Sequence, residues 1–114
     1  MKKGPEIRST IEAIIALTKS KDAKLFRRLA SDLKGAKRQR PQVNLKKISR
    51  YTKPNGVVVI PGKVLSFGDL KHPVEIVALK FSEPSKKKIA AAGGKIHDFH
   101  WLIKHGAKDV TYLK

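Results

Sequence analysis

Several residue types are absent or scarce, and each absence narrows the chemistry open to the chain. There is no cysteine, which excludes a disulfide framework and thiolate zinc sites and gives no reason to expect secretion. Only nine residues are acidic, too few and too scattered to predict a catalytic carboxylate pair. No apolar run approaches the roughly 18 residues that span a bilayer, and polar residues interrupt the start too early for a signal peptide. We therefore expect a cytoplasmic protein without a membrane partner.

Positive charge is abundant by contrast. The chain has 26 lysine and arginine residues and a formal net charge of +17 over 114 residues. The stretch between Leu33 and Phe67 contains no acidic residue and nine basic ones: Lys34, Lys37, Arg38, Arg40, Lys46, Lys47, Arg50, Lys53 and Lys63. So much like charge opposes compaction, and its usual purpose is to neutralise the phosphates of a polyanion.

The N-terminal half predicts helices and a basic arm. Apolar residues at helical spacing predict one helix from Ser9 to about residue 17 or 19 and a second over residues 22–34, which we expect to pack as an antiparallel pair. Residues 34–41 are basic without apolar periodicity, which predicts a mobile arm in isolation. Asn44 is positioned to cap a short helix over residues 45–50, with Leu45 and Ile48 facing inward and the basic residues outward.

The C-terminal half alternates strands and helices. β-Branched and apolar runs predict strands at residues 57–60, which Pro61 and Gly62 should end, at 63–65 beyond that bend, and at 74–81, 95–97 and 110–113. Helices are predicted at residues 85–92 and 99–104, the latter capped by Asp98. We therefore predict an α/β fold: a small mixed α/β body with some parallel pairing, an N-terminal helical pair and a basic extended arm. The expected single domain, 1–114, comprises a helical region (1–35), the arm with its short helix (36–54) and the body (55–114).

Signs of catalysis or ligand binding are weak. His97, His100 and His105 are close in sequence but do not match a zinc signature. No nucleophile-elbow motif supports an active site, and neither Pro61-Gly62-Lys63 nor Gly93-Gly94-Lys95 has the motif of a phosphate-binding loop. We expect Trp101 to pack in a core rather than stack on a base. The sequence thus predicts no catalytic residue, metal, cofactor or small-molecule substrate.

A family resemblance follows from residues 38–52, 57–65, 72–74, 78–82 and 91–95 taken in order. With these segments the chain resembles the archaeal and eukaryotic large-subunit ribosomal proteins of the eighteen-e family, which are related to bacterial large-subunit protein fifteen. The resemblance implies a non-catalytic ribosomal protein in the cytoplasm that binds large-subunit ribosomal RNA beside neighbouring ribosomal proteins. It also implies an α/β body with a basic N-terminal region.

Carried onto this sequence, the resemblance implies RNA contacts at nine positions. They are Lys37, Arg38, Arg40, Asn44, Lys46, Lys47, Arg50, Lys53 and Lys63, and the charge argument adds Lys34. We expect these residues to recognise the shape and backbone of the RNA more than its sequence. The alternative is a non-specific basic nucleic-acid-binding protein, either an RNA chaperone or a DNA-binding protein, which composition alone allows.

Overall fold

A computed structural model of the chain describes residues 23–34, 41–105 and 110–114. The predicted first helix, and with it the predicted helical pair, lies outside these residues, as does most of the predicted arm. The described elements are α1 (Ala23–Lys34), β1 (Gln42–Asn44), α2 (Leu45–Tyr51), β2 (Gly56–Leu65), β3 (Val74–Phe81), α3 (Glu83–Ala91), β4 (Lys95–His97), α4 (Phe99–His105) and β5 (Val110–Tyr112). The mixed α/β fold is confirmed. None of the helices in these ranges is long and apolar enough to cross a membrane.

The sheet is parallel and is organised around β2. Strand β3 pairs along one side of β2, and β4 pairs with the outer side of β3. The other side of β2 is shared, because β5 pairs with its first half at residues 57–59 and β1 pairs with its second half at residues 63–65. The three-residue strand β1 has a single apolar side chain, Val43, and its sequence did not predict it.

Strand β2 continues through Pro61 and Gly62, so the prediction that these residues end it was wrong. The register with β3 shifts between Ile60 and Lys63, which places Pro61 and Gly62 in a bulge. On the opposite side, they fall between the segments that pair with β5 and with β1. Proline is tolerated at such a position because no ladder hydrogen bond requires its missing N–H.

Two apolar clusters cover the two faces of the sheet. Leu45 and Ile48 of α2 and Ile89 of α3 pack with Val58 and Ile60 on one face. Helices α1 and α4 cover the other face, where the buried side chains are Phe26, Leu29, Ala30, Leu33, Val57, Val59, Val77, Phe99 and Leu102. Each fully buried aliphatic or phenyl side chain contributes about 1.5–3 kcal/mol, so this two-sided burial offsets the repulsion among the surface cations.

The placement of these helices follows from the order of the strands. From β1 through β2 and β3 to β4 the chain moves in one direction across the sheet, and the crossover helices α2 and α3 share a face. From β4 it moves back to pair β5 with β2, and the intervening α4 lies on the opposite face. Right-handed crossovers require this alternation.

Polar caps set the ends of the C-terminal helices. The Ser82 hydroxyl accepts a hydrogen bond from the Ser85 amide at 3.2 Å, and Pro84 lies in the first turn of α3. The Asp98 carboxylate accepts from the Trp101 amide at 3.0 Å, which confirms the predicted cap of α4. Asn44 occupies the N-cap position of α2, but its side chain makes no capping hydrogen bond, contrary to the prediction.

The first prediction concerns the close approach of β1 to β2 at Gly62. A Cβ atom there would lie 2.0 Å from the Pro41 carbonyl oxygen, which is backbone that cannot turn aside. Gly62→Ala should therefore lower the free energy of unfolding by about 1–3 kcal/mol, as overpacking does. Gly93→Asn serves for comparison: its φ of +84° makes the substitution strained, but a Cβ there would meet only Pro73 Cβ at 3.7 Å, so it measures backbone strain without steric overlap. Urea unfolding measures both variants; equal midpoints for Gly62→Ala and the wild type would contradict this account.

An acidic residue on α1 anchors β5. The Asp32 carboxylate accepts hydrogen bonds from the Tyr112 hydroxyl and, at 3.1 Å, from Lys114 Nζ. Burial opposes the charged form of Asp32, but these two bonds and the nearby cations outweigh it and hold the pKa below its usual range. Burial and the bond to Asp32 raise the pKa of Tyr112 far above its ordinary value, which keeps the hydroxyl protonated as the donor.

A second prediction follows for acid stability. Because the folded-state pKa of Asp32 is depressed, its contribution is complete above the unfolded-state pKa, about 4, and is lost as the pH falls through the folded value. Asp32→Asn should therefore be less stable at pH 7 and should lose less stability between pH 5 and pH 2. Urea midpoints across this range measure the effect, with Asp69→Asn at an exposed loop position as the control. An acid dependence identical in Asp32→Asn and wild type would refute the role of this anchor.

Candidate nucleic-acid interface

The structure describes some of the predicted contact residues and not others. Lys37, Arg38 and Arg40 lie outside the described residues, and Lys34 is the last residue of α1. The remaining six divide between two places. Asn44, Lys46, Lys47, Arg50 and Lys53 belong to α2 and its flanks, whereas Lys63 lies in the second half of β2.

Helix α2 presents its cations to solvent. Leu45 and Ile48 are buried, and Lys46, Lys47 and Arg50 are exposed, which confirms the predicted orientation of the helix. Exposed Lys53 follows, and its carbonyl accepts from the Gly56 amide at 3.0 Å at the start of β2. We call Lys46, Lys47, Arg50 and Lys53 the α2 strip. Two apolar side chains thus fix the direction in which the strip faces.

Local contacts restrain parts of the α2 strip. Lys47 Nζ donates to the Lys114 carbonyl at 2.7 Å, and the Arg50 guanidinium lies 5.7 Å from the ring centroid of Tyr51. A lysine ammonium has three donors, so Lys47 retains others for a phosphate. Asn44 is half-buried beside the strip, and its amide is not engaged in capping.

Lys63 lies in different surroundings. Strands β2, β3 and β4 end around an open cleft of about 490 Å³, whose charged lining residues are Lys63, Lys80, Lys86 and Asp98. Lys63 and Lys80 are directly opposite each other on adjacent strands. Like charges opposed in this way repel, so the pair favours an anion between or above them. Lys86 has an exposed ion pair with Glu83 at 3.1 Å, a contact worth little in water.

Sequence reasoning missed Lys80 and Lys86 as candidates. Lys86 opens a run of three lysines at the start of α3, and a helix that follows a parallel strand begins at the carboxyl edge of the sheet, where ligands of such sheets bind. The run of three lysines could thus have indicated an anion-binding site. Recognising the site, however, requires knowing that β2 and β3 are adjacent and parallel.

The two groups do not form one pocket. Lys53 precedes β2 and Lys63 lies near its end, so about 20 Å of strand separates these two residues at the usual rise per residue. Lys46, by contrast, follows β1 and lies at the same end of β2 as Lys63. The cleft lining includes none of the α2 strip residues. The arrangement is extended, which suits a polymer backbone better than a small anion.

The histidines and the tryptophan serve packing. Both faces of the Trp101 ring are covered, by His97 at a centroid distance of 3.8 Å and by His105 at 4.5 Å. No base could stack there without displacing an imidazole, in line with the predicted packing role. His97 Nε2 lies 2.8 Å from the Glu75 carboxylate. Among the residues that the structure describes, no three histidine, aspartate or glutamate side chains could hold a metal ion together.

Comparisons with known proteins show the family of the chain. A family model for the ribosomal proteins 50S-L15 and 50S-L18e and their 60S counterpart matches residues 8–97. The large ribosomal subunit protein eL18 of Sulfurisphaera tokodaii is 49% identical over 91% of this chain and 90% of its own length. The proteins of the same name from Sulfolobus acidocaldarius (42% identical; 82% of this chain, 80% of the relative) and Archaeoglobus fulgidus (36%; 94% and 92%) are similar too. The resemblance noted in the sequence is confirmed: the chain belongs to the family of large-subunit ribosomal proteins that includes 50S-L15 and 50S-L18e.

Proposed function

We propose that this chain is a structural constituent of the large ribosomal subunit and that it binds folded large-subunit ribosomal RNA. It is not an enzyme, and as part of the ribosome it acts in the cytoplasm. The observation that carries the proposal is the near full-length similarity to proteins named as large ribosomal subunit protein eL18. Neighbouring large-subunit proteins are its other partners.

The α2 strip supplies the first RNA contact in this proposal. Lys46, Lys47 and Arg50 are exposed on a helix that Leu45 and Ile48 hold against the core, so little backbone entropy is lost when phosphates bind. Arg50 suits bidentate contact with a phosphate, whereas the lysines act as point charges. Each neutralised phosphate releases counterions, which makes the affinity depend steeply on salt.

Lys37, Arg38 and Arg40 extend this contact along the chain. Pro41 follows them directly and is fixed to β2, because its carbonyl accepts from the Lys63 amide at 3.1 Å. Pro41, to which this basic segment is joined, therefore lies beside Lys63, one of the lining residues of the cleft. Phosphate contacts must outweigh the backbone entropy cost of binding, about 1–2 kcal/mol for each residue that becomes ordered.

A third prediction tests the localised contact. Arg38→Glu with Arg40→Glu should weaken binding to large-subunit ribosomal RNA and lower the slope of log affinity against log salt by about two, one for each lost phosphate contact. Lys24→Glu with Lys104→Glu makes the same change in net charge at exposed positions on α1 and α4, the face opposite α2. Filter binding over a salt series measures both double variants. Equal losses in the two would reject a localised interface.

The same assay separates the proposal from its alternative. A ribosomal component should prefer large-subunit ribosomal RNA over unrelated structured RNA and duplex DNA as salt rises. A non-specific RNA chaperone or DNA-binding protein would lose affinity for all three together.

A fourth prediction concerns the lysine pair of the cleft. Lys80→Gln removes the repulsion with Lys63, so the free protein should gain up to about 1 kcal/mol of stability at low salt. The same variant should bind ribosomal RNA less tightly, because an anion contact is lost. Urea unfolding and RNA binding are compared with those of Lys104→Gln, whose exposed lysine lies outside the cleft. A Lys80→Gln protein with unchanged RNA affinity would exclude the cleft from the interface.

A further inference from the structure

Two aromatic side chains are exposed beside the α2 strip, Tyr51 within α2 and the more exposed Phe67 in the loop after β2. Phe67, in the loop between β2 and β3, is 65% exposed, more than Tyr51 at 55% or Ile96 at 40%, the other large exposed hydrophobic residues among those described. Leaving a phenyl ring in water forgoes about 1.5–3 kcal/mol of burial. Single exposed apolar residues are common, so exposure alone assigns no role to Phe67.

The backbone around Phe67 is held tightly. The Phe67 carbonyl accepts from the Lys46 amide at 3.0 Å, and Lys88 Nζ donates to the Ser66 carbonyl at 3.0 Å and to the Gly68 carbonyl at 2.9 Å. Gly68 has φ +86°, and a Cβ there would lie 2.4 Å from Lys46 Cβ. The loop is thus closely packed on α2 and tied on both sides of the ring. A binding group fixed in this way loses little entropy when it is covered.

The surroundings of the ring are cationic. Lys46 begins the α2 strip and touches the loop directly, while Lys88 reaches the loop from α3. Lys88 uses two carbonyl acceptors and keeps a third donor for an anion. Asp69, two residues after Phe67 in the same loop, is the nearest acidic residue along the chain, and it is exposed.

A fixed aromatic ring between cations matches one chemical group in particular. Unpaired RNA bases stack on exposed aromatic side chains, while the phosphates on either side contact lysines. We infer that Phe67 stacks on an unpaired base of the bound RNA, with Lys46 and Lys88 on the adjoining phosphates. This inference rests on the proposed function and adds a stacking contact to its electrostatic ones.

The test uses three substitutions of the exposed ring in the full chain, with large-subunit ribosomal RNA as the probe. Phe67→Ala and Phe67→Leu should weaken binding by roughly 5- to 150-fold, the range that corresponds to 1–3 kcal/mol per stacked base. Phe67→Tyr keeps a π face and should bind as the wild type does. The salt slope should stay unchanged in all three, whereas Lys46→Gln should lower it by about one. Urea midpoints equal to the wild type confirm that each variant is folded.

Each other outcome overturns the inference. Full affinity in Phe67→Leu would mean that apolar bulk suffices, and full affinity in Phe67→Ala would mean that the ring contacts no RNA. If Phe67→Ala binds RNA normally but no longer enters reconstituted large subunits, the ring contacts a protein. If the wild type itself does not prefer ribosomal RNA, the proposed function fails as well. If the wild type prefers ribosomal RNA and the Phe67 variants bind it equally well, only the inference about Phe67 fails and the proposed function stands.

Discussion

The position of the basic residues depends on the contact between two backbones at Gly62. Strand β1 can pair with the second half of β2 only because residue 62 has no side chain, so that the Pro41 carbonyl lies where a Cβ would be. This pairing determines where α2 begins, and therefore which way Lys46, Lys47 and Arg50 face. It also fixes the point at which the basic segment before Pro41 joins the body. A steric constraint in the core thus controls the geometry of a surface.

The high charge is compatible with folding because burial and charge are separated in space. Both faces of the sheet are covered by helices, and the buried side chains are almost all apolar; Ser85 is the exception among the described residues. The cations of the α2 strip lie on the outer surface of α2 and just after it, and those of the cleft lie at the carboxyl edge of the sheet. Screening by phosphates would relieve repulsion at the surface without any change in the core.

Much of the body was predictable because its signals are local. Strand β3 has the predicted bounds, since eight mostly apolar residues between turn signals leave few alternatives. Helix α3 was predicted from Pro84 and the glycine pair that follows it. Strand β1 was missed because three residues with one buried side chain are too few to show an alternation of apolar and polar residues. The bulge at Pro61 was missed because a proline is tolerated inside a strand only where the neighbouring strands require no hydrogen bond from it. The lysines of the cleft were missed because only the parallel pairing of the strands brings them together.

The interface was predictable only in part for the same reason. Sequence spacing showed that the α2 cations face outward, since two apolar positions define a helix face. It could not show that Lys63 lines a cleft that includes none of these cations, or that a loop remote in sequence places Phe67 next to Lys46. Such proximities depend on register and on close backbone packing, which composition does not encode.

The stacked column of His97, Trp101 and His105 has a practical consequence. Trp101 is the only tryptophan in the chain, and its indole lies between two imidazoles at centroid distances of 3.8 and 4.5 Å. Its emission should therefore report whether β4 and α4 are docked. Because α4 packs on the face opposite α2, this intrinsic fluorophore senses the state of the body from the side remote from the α2 strip.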